Sequence, residues 1–254
     1  MALTVAIIGA LEKEVAQVYE TLEERSQVDE AGLAVSRGQL GAVRVVACTA
    51  GMGTVNAAAA TQHLISAYGA DTVIFSGIAG GLNPALHTGD VVIGERLRYL
   101  DTDTALIAES APGLEEFAST GHLVALAEEE LVAQGFCPVG AADASDRPAA
   151  KAIDERPRYL RGTVATGDRF VTGNAMRADA IEATGADCVE MEGAAVAHIA
   201  AKNGASCLVL RAISDNCDEE YDALSRREFD LDEYARSASA LTLGIVRRLE
   251  AEAR

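Results

Sequence analysis

Tryptophan is absent, and Phe and Tyr bring the aromatic share to only 4%. That is too few rings for a base-stacking surface on single-stranded nucleic acid. Basic residues are scarce as well. Lys and Arg number 21 against 39 Asp and Glu, a formal net charge of −18. No Lys/Arg cluster stands out, and duplex binding draws its affinity from such clusters. Nucleic acid is therefore excluded as a partner, and the acidity speaks for solubility. No apolar run reaches the roughly 18 residues of a membrane span, so no membrane partner is expected. The segment Met1-Ala2-Leu3-Thr4-Val5 has no basic stretch of the kind that opens a secretory signal. No C-x-x-C pair occurs. The five cysteines (Cys48, Cys137, Cys188, Cys207, Cys217) are odd in number and widely spaced, and four sit in or beside apolar runs. They read as buried reduced thiols, which places the protein in the reducing cytoplasm. The four histidines (His63, His87, His122, His198) lack metal-ligand spacing, so neither a metal nor a cofactor is expected.

What is present is a chain of 254 residues, 49% of them apolar. That is ample for one core. No repeat, low-complexity tract or linker divides it, and residues 1–254 read as a single domain. Apolar, β-rich runs at 3–8, 43–49, 72–75, 90–93, 163–166, 188–190 and 206–212 read as strands. Helical patterns cover 55–68, 123–134, 175–183, 193–202 and about 231–249. In the last of these Leu231, Tyr234, Ala238, Leu241, Ile245 and Leu249 recur three or four apart, as one buried face requires. Strands alternate with helices, and several strands are apolar throughout. The expected fold is therefore α/β, in three layers (α/β/α), with a mixed, mostly parallel central sheet. Residues 101–120, polar and punctuated by Gly and Pro, read as a long loop. Its close pair Asp101 and Asp103 reads as solvated or as part of a dimer contact.

In open α/β sheets, ligands bind beyond the carboxyl ends of the strands. Three acidic positions follow strand ends here. Glu12 and Glu14 follow the first strand and open a helix, where acids suit the helix dipole; a carboxylate base is the other reading. Glu190-Met191-Glu192 lies at a strand-to-helix junction. It reads either as a helix cap or as carboxylates that accept two hydrogen bonds from a vicinal diol. Ser214-Asp215 follows the strand at 206–212, as a cap or as an acid at the mouth of the sheet. Arg211 ends that buried strand, and a buried guanidinium needs a partner. Glycines in Gly51-Met52-Gly53 and Gly77-Ile78-Ala79-Gly80-Gly81 allow backbone to approach a ligand closely. Neither cluster has the complete order of a phosphate-binding loop.

Six stretches occur together, in order, over nearly the whole chain: Ile7-Ile8-Gly9-Ala10-Leu11-Glu12-Lys13-Glu14, Ser76-Gly77-Ile78-Ala79-Gly80-Gly81, Gly89-Asp90-Val91-Val92, Gly167-Asp168-Arg169-Phe170-Val171-Thr172-Gly173, Val189-Glu190-Met191-Glu192-Gly193-Ala194 and Val209-Leu210-Arg211-Ala212-Ile213-Ser214-Asp215. In them the chain resembles the nucleoside phosphorylase/nucleosidase superfamily. Within it, the resemblance is to the methylthioadenosine/S-adenosylhomocysteine nucleosidases.

The resemblance implies a nucleoside phosphorylase-like fold and a homodimer that hydrolyses the N-glycosidic bond of a purine nucleoside. It assigns Glu14 to deprotonating the attacking water, with Arg211 nearby, and Asp215 to protonating the purine at N7. It assigns Glu192 to the ribose hydroxyls, Met191 to the ribose, Phe170 to stacking on the base and the Val171 backbone to the base edge. Met52, Ile78, Ala79, Gly80, Glu190 and Ser214 complete the expected substrate site. Acid–base chemistry supports the pair independently. Adenine leaves poorly as an anion, so an acid at N7 is needed, and the oxocarbenium-like sugar favours a nearby carboxylate.

Phosphorylases of the superfamily carry Gly-Asp-Pro-x-x-Arg after the first strand. Glu12, Lys13 and Glu14 stand there in this chain, and a carboxylate repels phosphate. Ile78 stands where nucleosidases of this group usually carry serine, and the stretch up to Thr120 departs from the family. Three alternatives follow from these departures: hydrolysis of another 5′-modified nucleoside such as futalosine or aminodeoxyfutalosine, a phosphorylase, and an inactive nucleoside-binding module.

Overall fold

The computed structural model describes residues 3–110, 113, 115–140, 157–218 and 231–252. In chain order the elements are β1 (Thr4–Gly9), α1 (Glu12–Thr21), β2 (Glu23–Glu30), β3 (Leu33–Leu40), β4 (Val43–Thr49), α2 (Thr54–Tyr68), β5 (Thr72–Gly81), β6 (Val91–Tyr99), α3 (Thr104–Ser110), β7 (Phe117–Ala118), α4 (Gly121–Ala133), β8 (Cys137–Pro138), β9 (Arg158–Thr166), α5 (Gly173–Thr184), β10 (Cys188–Glu190), α6 (Gly193–Asn203), β11 (Ser206–Asp215) and α7 (Leu231–Glu252).

Alternation along the strands builds a core on each face of the sheet. Ala6 and Ile8 of β1, Val73 and Phe75 of β5, and Cys207 and Val209 of β11 face α2 and α6. Val5, Ile7, Ile74, Leu208 and Leu210 face the opposite side, where α1, α4 and α7 pack. The sheet is thus covered on both faces, as its apolar strands demand. The expected three-layer α/β arrangement holds.

The sheet runs β10-β9-β6-β11-β5-β1-β4-β3-β2. Its central ladders β1–β4, β1–β5, β5–β11, β6–β9 and β9–β10 are parallel. β10 also returns to the far end of β5, antiparallel, through Cys188↔Gly81 and Val189↔Gly80. Strands β5, β11, β6, β9 and β10 therefore close on themselves. That closure brings the ends of β5, β10 and β11 to one place.

Several expected boundaries change. The strand at 72–75 continues to Gly81, so the glycine cluster is strand rather than the turn that ends one. The strand at 206–212 likewise runs to Asp215, with an irregularity between Ile213 and Asp215. The expected loop at 101–120 contains α3 and β7. The hairpin β2–β3 gave no signal. Residues 23–27 of β2 are all exposed and polar at the sheet edge. Its turn is Ala31-Gly32, both at positive φ (51° and 76°), a geometry usually marked by Asn-Gly. No helix among the described residues is long and apolar enough to cross a membrane.

Leu64 of α2 is fully buried between that helix and the sheet. Leu64→Ala is expected to cost about 2–5 kcal/mol. Urea unfolding should show this as a lower midpoint at unchanged slope; a loss below about 1 kcal/mol would mean the α2 face is not part of the core.

Candidate active site

Glu14 sits in the first turn of α1, and its side chain turns back to the helix start. Its Oε2 accepts the Leu11 N–H at 2.9 Å, which caps the helix. Its Oε1 accepts the Ile78 N–H of β5 at 3.2 Å. The two readings of this residue coincide: the capping acid is also the carboxylate at the strand end. Glu14 is 3% exposed. Burial pushes its pKa up, while Arg211 and the backbone donors pull the other way.

Arg211, 1% exposed, is the largest fully buried side chain. Its guanidinium lies 4.2 Å from the centre of the Phe75 ring. Nε donates to Glu190 Oε2 at 3.1 Å and Nη2 donates to the same oxygen. Glu192 Oε2 is 3.8 Å from Nη2. Burial works against the charge of Arg211, but Glu190, Glu192 and Glu14 outweigh it, and its pKa rises. Gly77 is what lets these groups meet. A Cβ there would lie 2.6 Å from Glu14 Oε1 and 2.7 Å from Arg211 Nη1.

The acids of Glu190-Met191-Glu192 divide their work. Glu190 takes hydrogen bonds from Arg211, from Thr166 Oγ1, from Glu192 N (3.0 Å) and from Gly193 N (2.7 Å). It anchors the guanidinium and caps α6. Glu192 is less engaged: Oε1 accepts the Gly53 N–H at 2.8 Å, and among the described residues Oε2 has only its distant Arg211 neighbour. Burial first, and then the neighbouring Glu190 charge, raise the Glu192 pKa to about 7.

At the end of β11, Asp215 Oδ1 accepts the Cys217 N–H at 2.9 Å. Its Oδ2 is 2.7 Å from Ser214 Oγ, which is also 3.1 Å from the Ala79 carbonyl. Asp215 therefore caps a local turn and faces the cavity at once.

A cavity of about 320 Å³ joins these groups. Glu14, Met52, Ile78, Ala79, Gly80, Phe170, Val171, Glu190, Met191, Glu192, Ser214 and Asp215 all line it, each an expected site residue. Arg211 does not line it. The guanidinium lies behind Glu190 and Glu14 and reaches the cavity only through them. Ala10, Leu11, Arg169, Val189 and Cys217 line it without having been singled out. All but Cys217 lie inside the quoted motifs, so their neighbours were the available signal. Cys217 had none: its place follows from a positive φ of 55°, which packs its sulfur against Gly80. All five cysteines are free, four of them buried. Among the described residues no group of three or more His, Cys, Asp or Glu side chains is placed to hold a metal ion.

The phosphorylase superfamily model matches residues 4–247. The chain belongs to the phosphorylase superfamily. Similarity to individual members of the superfamily is also extensive. The 5′-methylthioadenosine/S-adenosylhomocysteine nucleosidase of Treponema pallidum is 36% identical, over 98% of this chain and 94% of that protein. The corresponding nucleosidase of Neisseria meningitidis, solved with methylthio-immucillin-A, superposes with a TM-score of 0.80 at 30% identity, over 96% of this chain and 99% of that one. The futalosine hydrolase of Helicobacter pylori superposes with a TM-score of 0.81 at 25% identity, over 98% and 99% of the two chains.

The raised pKa of Glu192 has a consequence for stability. A carboxyl whose folded pKa lies above its unfolded value of 4.5 binds its proton more tightly when folded. Its contribution favours folding at low pH and is lost as pH rises from about 4.5 to about 7. Glu192→Gln should therefore gain melting temperature relative to the parent as pH goes from about 5 to about 8. A Tm difference that stays flat across that range would contradict the raised pKa.

Proposed function

We propose that this protein is a nucleosidase that hydrolyses the N-glycosidic bond of 5′-methylthioadenosine and S-adenosylhomocysteine. The observation that carries the reading is Glu14. A buried carboxylate, held by the Leu11 and Ile78 amides, occupies the place where a phosphorylase needs a phosphate site. A dianion is repelled there, and a water is attracted and oriented.

In the proposed reaction the purine enters toward Asp215, with Phe170 on its face and the Val171 backbone at its edge. The ribose diol donates to Glu192, and Met191 packs against the sugar. Protonated Asp215 gives its proton to N7, and the C1′–N9 bond breaks with its electron pair passing to the base. The sugar becomes oxocarbenium-like, which the surrounding carboxylates favour. Water held by Glu14 attacks C1′ and yields its proton to that carboxylate. Adenine and the 5-thio-substituted ribose leave. Arg211 acts by holding Glu190 and tempering the charge of Glu14, as a positioning residue.

The matched span of residues 4–247 and the continuous sheet support a single domain. The free thiols support a cytoplasmic enzyme. The exposed apolar side chains Met52, Val55 and Leu106, 63%, 77% and 62% exposed, support a homodimer that covers them. Likeness to the futalosine hydrolase favours one second reading, another 5′-modified nucleoside as substrate.

The test is adenine release from methylthioadenosine in phosphate-free buffer. Free methylthioribose as co-product is expected; a sugar 1-phosphate formed only on adding phosphate would reverse the reading. A panel with futalosine separates the second reading. Glu14→Gln and Asp215→Asn should each lower kcat by about a hundredfold to ten-thousandfold in a folded protein. Full activity in both variants would rule out the acid–base pair.

A further inference from the structure

Of the five cysteines, Cys217 is the one that lines the cavity, and no step of the proposed reaction uses it. It is 4% exposed and stands two residues beyond Asp215. Burial first, and then the Asp215 charge, push the pKa of its thiol up to about 12. The sulfur is therefore a neutral S–H and not a nucleophile. Its backbone is the unusual part. Cys217 has a φ of 55°, which a residue with a side chain holds only where its surroundings impose it.

Gly80 is where those surroundings meet. The β5–β11 ladder shifts register between Ile213 and Asp215, and Asp215 comes to lie opposite Gly80. On its other side the same glycine pairs with Val189 of β10. The space that a side chain at Gly80 would fill is taken by the Cys217 sulfur. A Cβ there would also lie 3.2 Å from Asp215 Oδ1 and 3.8 Å from Val189 Cγ1. The sulfur thus seats over Gly80, in one apolar cluster with Leu82, Val171 and Val189. With the side chain held there, the Cys217 N–H turns back and donates to Asp215 Oδ1 at 2.9 Å. Oδ2 lies 2.7 Å from the Ser214 hydroxyl, which can donate or accept.

We propose that Cys217 is a positioning residue for the general acid: its sulfur, seated over Gly80, fixes the amide that holds Asp215 Oδ1, so that the proton for the base leaves from Oδ2. This rests on the nucleosidase reading above and adds a residue to its acid half. An amide N–H cannot accept, so a proton on Oδ1 would face a second donor. The carboxyl proton is directed to Oδ2 instead. Proton transfer also needs the carboxyl at hydrogen-bond reach of the base, and the amide bond keeps it from swinging. Alanine at 217 would retain the amide but lose the seat that holds it in place.

The experiment sets two leaving groups on the same 5-methylthioribosyl sugar: adenine, which needs a proton, and 4-nitrophenolate, which leaves as an anion. The ratio of kcat/KM for the first to that for the second is measured in the parent, Cys217→Ala, Cys217→Ser, Asp215→Asn and the Cys217→Ala/Asp215→Asn double variant. Cys217→Ala should lower the ratio about tenfold, carried by kcat, and Cys217→Ser about threefold to fivefold. In the Asp215→Asn background, Cys217→Ala should change the ratio no further, because it acts through Asp215. A role in folding alone would lower both substrates together. A ratio within about twofold of the parent in Cys217→Ala overturns the positioning role, and so does full additivity in the double variant. If Cys217→Ala does not fold, Cys217→Ser decides on the same twofold criterion. Should the parent release no adenine, the nucleosidase reading fails separately. Calorimetric titration with adenine then takes over: binding about fivefold weaker in Cys217→Ala upholds the held carboxylate, and an equal Kd overturns it.

Discussion

The site depends on one buried cation. Three carboxylates converge on Arg211, and all three are buried. Taking an isolated carboxylate out of water costs several kcal/mol even after relaxation. Three together add mutual repulsion. The guanidinium answers both costs because it is planar and always charged, and it stacks on Phe75 while it serves Glu190 along one edge. Its distance from the cavity is part of this role. A cation in contact with a reacting sugar would oppose the positive charge that develops there. Placed behind the acids, it offsets their charge without lining the cavity.

The backbone is arranged to permit that cluster. Arg211 pairs with Gly77 in the β5–β11 ladder, and any side chain at Gly77 would fill the space shared by Glu14 and Arg211. Gly80 makes the same kind of room for Cys217, whose N–H holds Asp215. The closure of β10 onto β5 then brings Glu190 and Glu192 to the same end. Helix starts complete the arrangement. α1 is capped by Glu14, α6 by Glu190, and α2 by Asp168 with Glu192 on the preceding amide. Acids that a helix start favours on electrostatic grounds are the same acids that line or support the cavity.

Much of this was legible in the sequence because strong local rules coincide with the site. Apolar strands gave the layered α/β fold, and acids just beyond strand ends marked the cavity. Ambiguity remained where one residue satisfies two rules. Glu14 reads equally as cap and as base because it is both. Glu190 and Glu192 looked equivalent from spacing alone. Only the packed structure shows that Glu190 is consumed by Arg211, Thr166 and two amides, while Glu192 is less engaged and lines the cavity. Edge strand β2 was illegible for a physical reason: a strand exposed and polar along most of its length carries no alternation, and its turn lacks the usual residues. The glycine run 77–81 misled in the opposite way. Glycine commonly ends a strand, but here Gly77 and Gly80 continue one because neighbouring side chains need the space.

The two proposed reacting acids are distinguished by what holds them. Among the described residues Glu14 receives hydrogen bonds from backbone amides, at Leu11 and Ile78, which can donate but never accept. Such partners work for the ionised form against the burial that raises the Glu14 pKa. Asp215 has a partner of another kind. Ser214 Oγ lies between Asp215 Oδ2 and the Ala79 carbonyl. Its single proton can point to the carboxylate when Asp215 is ionised, or to the carbonyl when Asp215 carries a proton and donates it to the hydroxyl oxygen. The hydroxyl can thus serve as donor or as acceptor toward Asp215 without moving a heavy atom. A group that must hold a proton, deliver it to a purine nitrogen and regain it needs that tolerance. A base that must stay charged beside an attacking water needs its absence. The serine beside one carboxylate and the amides beside the other are compatible with the proposed acid and base roles.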